Sequence, residues 1–205
     1  GPAVDDAALA EAYDTGGVLL DQVQVVEAAE NGHVVLFVQH LQVIEDDMAE
    51  TRTIRVADFN GNGRPDLLGT ARVGNQVVWY ENPDDPVHHA WQKHVIDTAP
   101  DPVHGQPVDM DGDGDVDVVM ALGMLEPEDP ADLGYHQVVW YENEGDPEAD
   151  NWTKHVICES FPNAFEAVAA DLDGDGQMEV VASAWERDGR VAIFKHDGDP
   201  RGTWS

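Results

Sequence analysis

The apolar residues of this chain fall in short runs with the periodicity of strands, and the runs recur. Val77-Val78-Trp79-Tyr80 leads into Glu81-Asn82, and Val138-Val139-Trp140-Tyr141 leads into Glu142-Asn143; a weaker copy reads Val191-Ala192-Ile193-Phe194-Lys195-His196. A second run, Trp91-Gln92-Lys93-His94-Val95-Ile96, returns as Trp152-Thr153-Lys154-His155-Val156-Ile157. His40-Leu41-Gln42-Val43-Ile44 resembles that run without its Trp, and Trp204-Ser205 stands where another copy would begin. Two further runs in each period flank a polar loop, as in Val56-Ala57 before Asp58-Phe59-Asn60-Gly61-Asn62-Gly63-Arg64-Pro65-Asp66 and Leu67-Leu68 after it. Short β-branched and aromatic runs separated by Gly, Asp, Asn and Pro predict strands. Four runs per period predict an all-β repeat.

The polar loop returns as Asp109-Met110-Asp111-Gly112-Asp113-Gly114-Asp115-Val116-Asp117 and as Asp171-Leu172-Asp173-Gly174-Asp175-Gly176-Gln177-Met178-Glu179, its first acids 51 and then 62 residues apart. The longer spacing comes from extra residues between Gly123 and His136, an insertion that belongs in a surface loop. Four strands in a period of about 40–60 residues is the pattern of a β-propeller blade, and blades need neighbours to bury their faces. The expected architecture is therefore all-β: four-stranded blades, A to D in order, at about 46–96, 97–157 and 158–205. Residues 18–45 are expected to form a partial blade without a loop, and residues 1–17 an arm or short helix. Gly1-Pro2 resembles the remnant of a cleaved tag. Three full repeats and a partial one imply a partial propeller, a short one, or one completed by oligomerisation.

Charge narrows the partners. Ten basic residues stand against 42 acidic ones, a formal net charge of −32. Such a surface repels nucleic acid and anionic lipid and calls for cations. No apolar run approaches the ~20 residues that a membrane-spanning helix needs. Fifteen loop positions do not account for all the acids, and the three lysines, Lys93, Lys154 and Lys195, add to a profile suited to high salt, where screening relieves self-repulsion. The single cysteine, Cys158, lies in an apolar run and is expected to be a buried, inert thiol.

The loops carry the chemistry. Calcium takes 6–8 oxygen ligands, and a nine-residue loop supplies them from side chains at positions 1, 3, 5 and 9 and a carbonyl at 7, with Gly at 6 for the turn. The expected ligands are Asp58, Asn60, Asn62, the carbonyl of Arg64, and Asp66; Asp109, Asp111, Asp113, the carbonyl of Asp115, and Asp117; and Asp171, Asp173, Asp175, the carbonyl of Gln177, and Glu179. About three structural calcium ions are expected. The first loop, with two Asn for Asp, should bind most weakly. EF-hands are excluded: position 12, a bidentate Glu there, is Gly69, Met120 or Ala182 here.

Loop, Trp-Tyr-Glu-Asn run and Trp-x-x-His-x-Ile run recur in order over about residues 40–204, and on these motifs the chain resembles the FG-GAP/VCBS repeat family. These are calcium-loop β-propellers related to integrin α-subunit propellers and to many secreted bacterial and archaeal proteins. The resemblance implies A–B calcium loops, an extracellular or cell-surface location, and a glycan or protein ligand bound on the opposite loop face. Candidate contacts there are His104, Tyr135, His136, Phe165 and Trp185, from D–A connections drawn at 97–105 and 159–165 and from B–C connections. His94, His155, Trp79 and Trp140 are expected to pack the blades. A non-catalytic module is the first reading. The alternative is part of a carbohydrate-active enzyme, of the polysaccharide lyase or sugar dehydratase type, which needs an acid/base constellation on the loop face; His104, His136 and Glu166 are the residues that could contribute to it.

Overall fold

The computed structural model describes residues 23–30, 33–40, 43–125, 136–149, 151–185 and 189–205. The chain divides into two units, residues 1–46 with 83–91, and residues 47–82 with 92–205. In the first, β1 (Val23–Glu30) and β2 (His33–His40) form an antiparallel hairpin in which Val23 faces His40 and Glu30 faces His33. Val43 and Ile44, expected to continue the strand from His40, are outside it.

The second unit is built from repeats. β3 (Thr51–Ala57), β4 (Asp66–Ala71), β5 (Gln76–Glu81) and β6 (Gln92–Asp97) form an antiparallel sheet in chain order. β7 (Pro102–Val108), β8 (Asp117–Leu122), β9 (Gln137–Asn143) and β10 (Trp152–Cys158) repeat that meander; β11 (Ala164–Ala170), β12 (Glu179–Ala184) and β13 (Val191–Phe194) repeat its first three strands. Where a fourth strand would follow, a single bridge joins His196 to Trp204. The first strands β7 and β11 run parallel and pair at His104 and Glu166, which fuses the last two repeats into one seven-stranded sheet. The only helical element among the described residues is a single 3-10 turn at Pro147–Ala149.

The middle repeat is covered on both faces, and its sequence shows it. β8 is Asp-Val-Val-Met-Ala-Leu and every one of its residues is buried. Alternate side chains of a strand point to opposite faces. Val118, Met120 and Leu122 thus join Phe59, Leu68, Val77 and Trp79 of the first repeat, whereas Val119 and Ala121 join Ala164, Ala167, Val180 and Ala182 of the third. Trp79 and Trp140 are fully buried, each stacked flat on a cross-strand histidine: Trp79 on His94 at 4.3 Å between ring centroids, Trp140 on His155 at 4.5 Å. Cys158, expected to be buried, is half-buried, with Sγ 3.5 Å from the Ser160 carbonyl oxygen.

Each first strand carries a register shift near its start, between Thr51 and Ile54, Pro102 and Gly105, and Ala164 and Glu166. A bulge adds a residue without breaking the strand. For that reason β7 begins at Pro102 and β11 at Ala164. His104 and Phe165, expected in connections, are strand residues.

Candidate metal-binding loops and an aromatic row

The three polar loops join the first and second strands of each repeat, β3 to β4, β7 to β8 and β11 to β12. Their backbone is folded by its own side chains. Asp109 accepts the N–H groups of Gly112 (2.8 Å) and Gly114 (3.1 Å), and Asp171 those of Gly174 (2.7 Å) and Gly176 (3.0 Å). Asp58 does the same for Asn62 (3.1 Å) and Gly63 (2.7 Å). At position 5, Asn62, Asp113 and Asp175 accept from the N–H of Arg64, Asp115 and Gln177 at 2.8–2.9 Å. Positions 4 and 6 both have left-handed backbone: Gly61, Gly112 and Gly174 at φ 67–79°, and Gly63, Gly114 and Gly176 at φ 83–97°. The expected turn glycine is at position 6; position 4 needs glycine equally. Nothing lies within 4 Å of where a Cβ would stand on any of the six, so conformation and not space selects glycine.

The last acid of each loop is the buried one: Asp66 at 0%, Asp117 at 1% and Glu179 at 4% exposure. Asp66 accepts the N–H of Phe59 (3.0 Å) and of Asn82 (2.8 Å), and Asp117 those of Met110 (2.9 Å) and Asn143 (2.8 Å). This carboxylate ties the loop to the end of the third strand. Burial pushes Asp117 up to about 7 despite those two bonds, and Asp66 is raised for the same reason. Asp113 is also raised: the Asp115 N–H pulls it down, but burial and the neighbouring Asp111, Asp115 and Asp109 charges outweigh that. A carboxylate that resists ionising because of burial and like charges is relieved by a cation.

Two loops gather three carboxylates each. One oxygen from each of Asp109, Asp111 and Asp117 lies within 4.8 Å of the others, and the same holds for Asp171, Asp173 and Glu179. Hard carboxylate oxygens at this density suit a hard divalent cation, and a carboxylate oxygen that accepts one N–H keeps a second lone pair for an ion. The first loop brings only Asp58 and Asp66; its Asn60 amide donates to Glu81 (3.3 Å) and Glu148 (3.2 Å). Loops two and three flank a cleft of about 170 Å³ lined by Asp111, Gln177, His196 and Pro200 among others.

Sequence reasoning missed how each of the first two loops is reached by the repeat that follows. Pro147 and Pro200 are buried, each preceded by Gly-Asp. The Pro147 carbonyl accepts from Trp79 (3.4 Å) of the repeat before and from Trp152 (3.3 Å) of its own; the Pro200 carbonyl accepts from Trp140 (3.2 Å) and Trp204 (2.9 Å) likewise. The residue after each proline reaches position 3 of the preceding loop: Glu148 meets Asn60, and Arg201 meets Asp111 while also pairing with Glu142. Glu142 also pairs with His155 at 2.7 Å. Although burial opposes it, those partners hold the Glu142 carboxyl below its ordinary range. The recurrence of Gly-Asp-Pro four or five residues before a Trp is the signal that marks this contact.

At the opposite ends of the strands, three of the five ligand candidates form a row. The rings of His104 and Phe165 meet edge-on at 4.8 Å, and Phe165 meets Trp185 at 5.1 Å; Trp185 is 61% exposed. Thr53 Oγ1 lies 3.1 Å from His104 Nδ1, and partial burial lowers the His104 pKa. His136 is elsewhere: fully buried, its Nδ1 accepts the Asn163 N–H at 3.0 Å. Tyr135 lies outside the described residues. Glu166 is paired with Arg55 at 2.8 Å.

Residues 58–120 and 131–182, more than half of the chain, match the FG-GAP-like repeat. No curated protein matches. Among solved structures, the crystal structure of the V. cholerae biofilm matrix protein Bap1 is similar at a TM-score of 0.35 and 18% identity, over 71% of this chain and 27% of that one. The chain thus spans about a quarter of that protein's length. Among the described residues, no helix is long and apolar enough to cross a membrane.

Proposed function

The chain belongs to the FG-GAP-like repeat family, and on that premise we propose that it is a calcium-stabilised β-propeller segment acting outside the cell as a non-catalytic binding or adhesion module. The observation that carries this reading is the loop itself. Its glycines recur in register, its carboxylates converge in the second and third copies, and in the second the buried last acid is left short of positive charge. Bound calcium would neutralise the carboxylates. Asp109, Asp111, Asp113 and Asp117 with the Asp115 carbonyl would hold it in the second loop, and Asp58, Asn60, Asn62, Asp66 and the Arg64 carbonyl in the first. The chain's own part is to fold the loop through its Asx hydrogen bonds and to anchor it to the third strand. Sites of this kind suit the calcium levels found outside cells.

The row His104, Phe165 and Trp185 supports a binding face away from the ions, with an exposed indole available to stack on a sugar ring. A glycan is the ligand favoured, a protein surface the other outcome of the test. Further blades, from more chain or from a second copy, would cover the faces that a partial propeller leaves open. Of the residues that could serve the enzyme reading, His136 sits in the core and Glu166 is paired with Arg55, which weakens it.

Thermal unfolding with calcium and with EDTA tests the metal. Each site at 100 times its Kd adds about 2.7 kcal/mol, or a Tm shift of about 5–10 °C at this chain length. An unchanged melting curve, with no calcium retained by elemental analysis, would refute it. A glycan array with wild type and Trp185→Ala tests the face: loss of binding in the variant supports it, and unchanged binding removes Trp185 from it. Product release from a polysaccharide by the chain alone would restore the enzyme reading.

A further inference from the structure

The third loop departs from the other two at one position. In the first two repeats the residue that follows the Tyr of the third strand is an acid, Glu81 or Glu142; in the third it is Lys195. The register fixes the equivalence. Tyr80 pairs with Leu67, Tyr141 with Val118 and Phe194 with Val180, and each of those partners directly follows the loop's last acid. The charge next to the loop is therefore reversed at one and the same place in the fold.

Lys195 points into the loop. Its Nζ lies 2.6 Å from Asp173, 2.9 Å from Asp175 and 3.1 Å from Glu179. The ammonium donates to Asp173 and Asp175, and the Glu179 carboxylate stands beside it as an ion pair. The three are the loop's acids at positions 3, 5 and 9. The backbone of the lysine is fixed as well: its N–H donates to the Ser205 carbonyl (3.1 Å), and its carbonyl accepts the Ser205 N–H (2.9 Å). Arg201 does not do for the second loop what Lys195 does for the third, because it reaches Asp111 alone there and shares its charge with Glu142.

We infer that Lys195 is the built-in cation of the third loop, which its ammonium holds closed where the first two loops require a divalent ion. This rests on the calcium reading of the family's loops and corrects the number of ions from three to two. Calcium entering the third loop must displace Nζ from three carboxylates and then share the site's field with its positive charge. The third loop is consequently indifferent to calcium, despite having four acids among its ligand positions where the first has two.

Calorimetric titration of the full chain with calcium, after removal of metal by EDTA, tests this with Lys195→Gln and Asp173→Asn beside wild type. Lys195→Gln is expected to bind one more ion than wild type, or to tighten the weakest site roughly tenfold or more. In EDTA its Tm should fall below that of wild type, and calcium should restore it. Asp173→Asn should leave the calcium stoichiometry of wild type unchanged, which keeps the inference testable if the lysine variant does not fold. Unaltered binding in Lys195→Gln, or loss of one ion in Asp173→Asn, overturns the inference and leaves the calcium reading standing. If neither wild type nor Lys195→Gln binds calcium, both readings fall.

Discussion

The two indoles that share the Pro200 carbonyl make a sharp test of how the repeats are joined. Trp140→Phe removes the donor at 3.2 Å and part of a fully buried ring. The lost hydrogen bond costs about 0.5–1.5 kcal/mol, and the void left by the smaller ring about 1 kcal/mol more. The carbonyl itself stays satisfied, because Trp204 still donates to it at 2.9 Å. Trp204→Phe alone should cost about 1 kcal/mol for the same reason. With both replaced, the buried carbonyl has neither indole, and an orphaned buried acceptor costs about 1–3 kcal/mol. The double variant should therefore lose about 4–6 kcal/mol where the single losses sum to about 3. Urea denaturation in calcium, run as a double-mutant cycle, measures the coupling. Losses that add to within about 0.5 kcal/mol would show that the carbonyl does not couple the repeats.

Other outcomes are open to direct measurement. Asp113→Ala should weaken calcium binding more than Asn62→Ala, since it removes a charge from a site rich in them; equal dissociation constants by calorimetry would contradict this. Gly105→Ala should destabilise by about 1–3 kcal/mol or more, because a Cβ there would stand 2.2 Å from the Val119 carbonyl oxygen; an unchanged urea midpoint would count against the close approach of β7 and β8. His104 has a pKa lowered by burial, so the unfolded chain takes up its proton first as pH falls. Its contribution to stability is present above pH ~6.5 and is lost below it. His104→Gln should flatten the fall in urea midpoint between pH 7 and 5 relative to wild type, and a parallel fall in both would exclude this histidine as a source.

The loops were legible because every ligand position and turn glycine is local: nine consecutive residues state the chemistry. The strands were legible from their alternation, and the packing role of Trp79 and Trp140 from their recurrence. The starts of β7 and β11 were not, because a bulge leaves no mark in a run such as Pro102-Val103-His104. His136 looked like a loop residue beside an insertion, yet it is fully buried and receives the Asn163 N–H, a contact 27 residues away. The links between repeats were least legible of all. They depend on residues such as Pro200 and Arg201 that meet Trp140 and Asp111 at separations of 60 and 90 positions, and no periodicity within one repeat encodes them. Lys195 was visible as a departure from Glu81 and Glu142, but its meaning appears only once the third strand is seen to end beside the loop.

The backward reach of each Gly-Asp-Pro turn gives the chain a direction in time. On a ribosome the first loop leaves the exit tunnel long before Glu148, which lies 88 residues after Asn60. At about 5–20 residues per second, each newborn loop waits roughly 4–18 s for the contact that closes it. Until then a nascent repeat lacks its contact with the next one. An arrest or truncation leaves the last loop without the side chain that the next repeat supplies. The lysine in the third loop is the one place in the described repeats where a loop needs no successor.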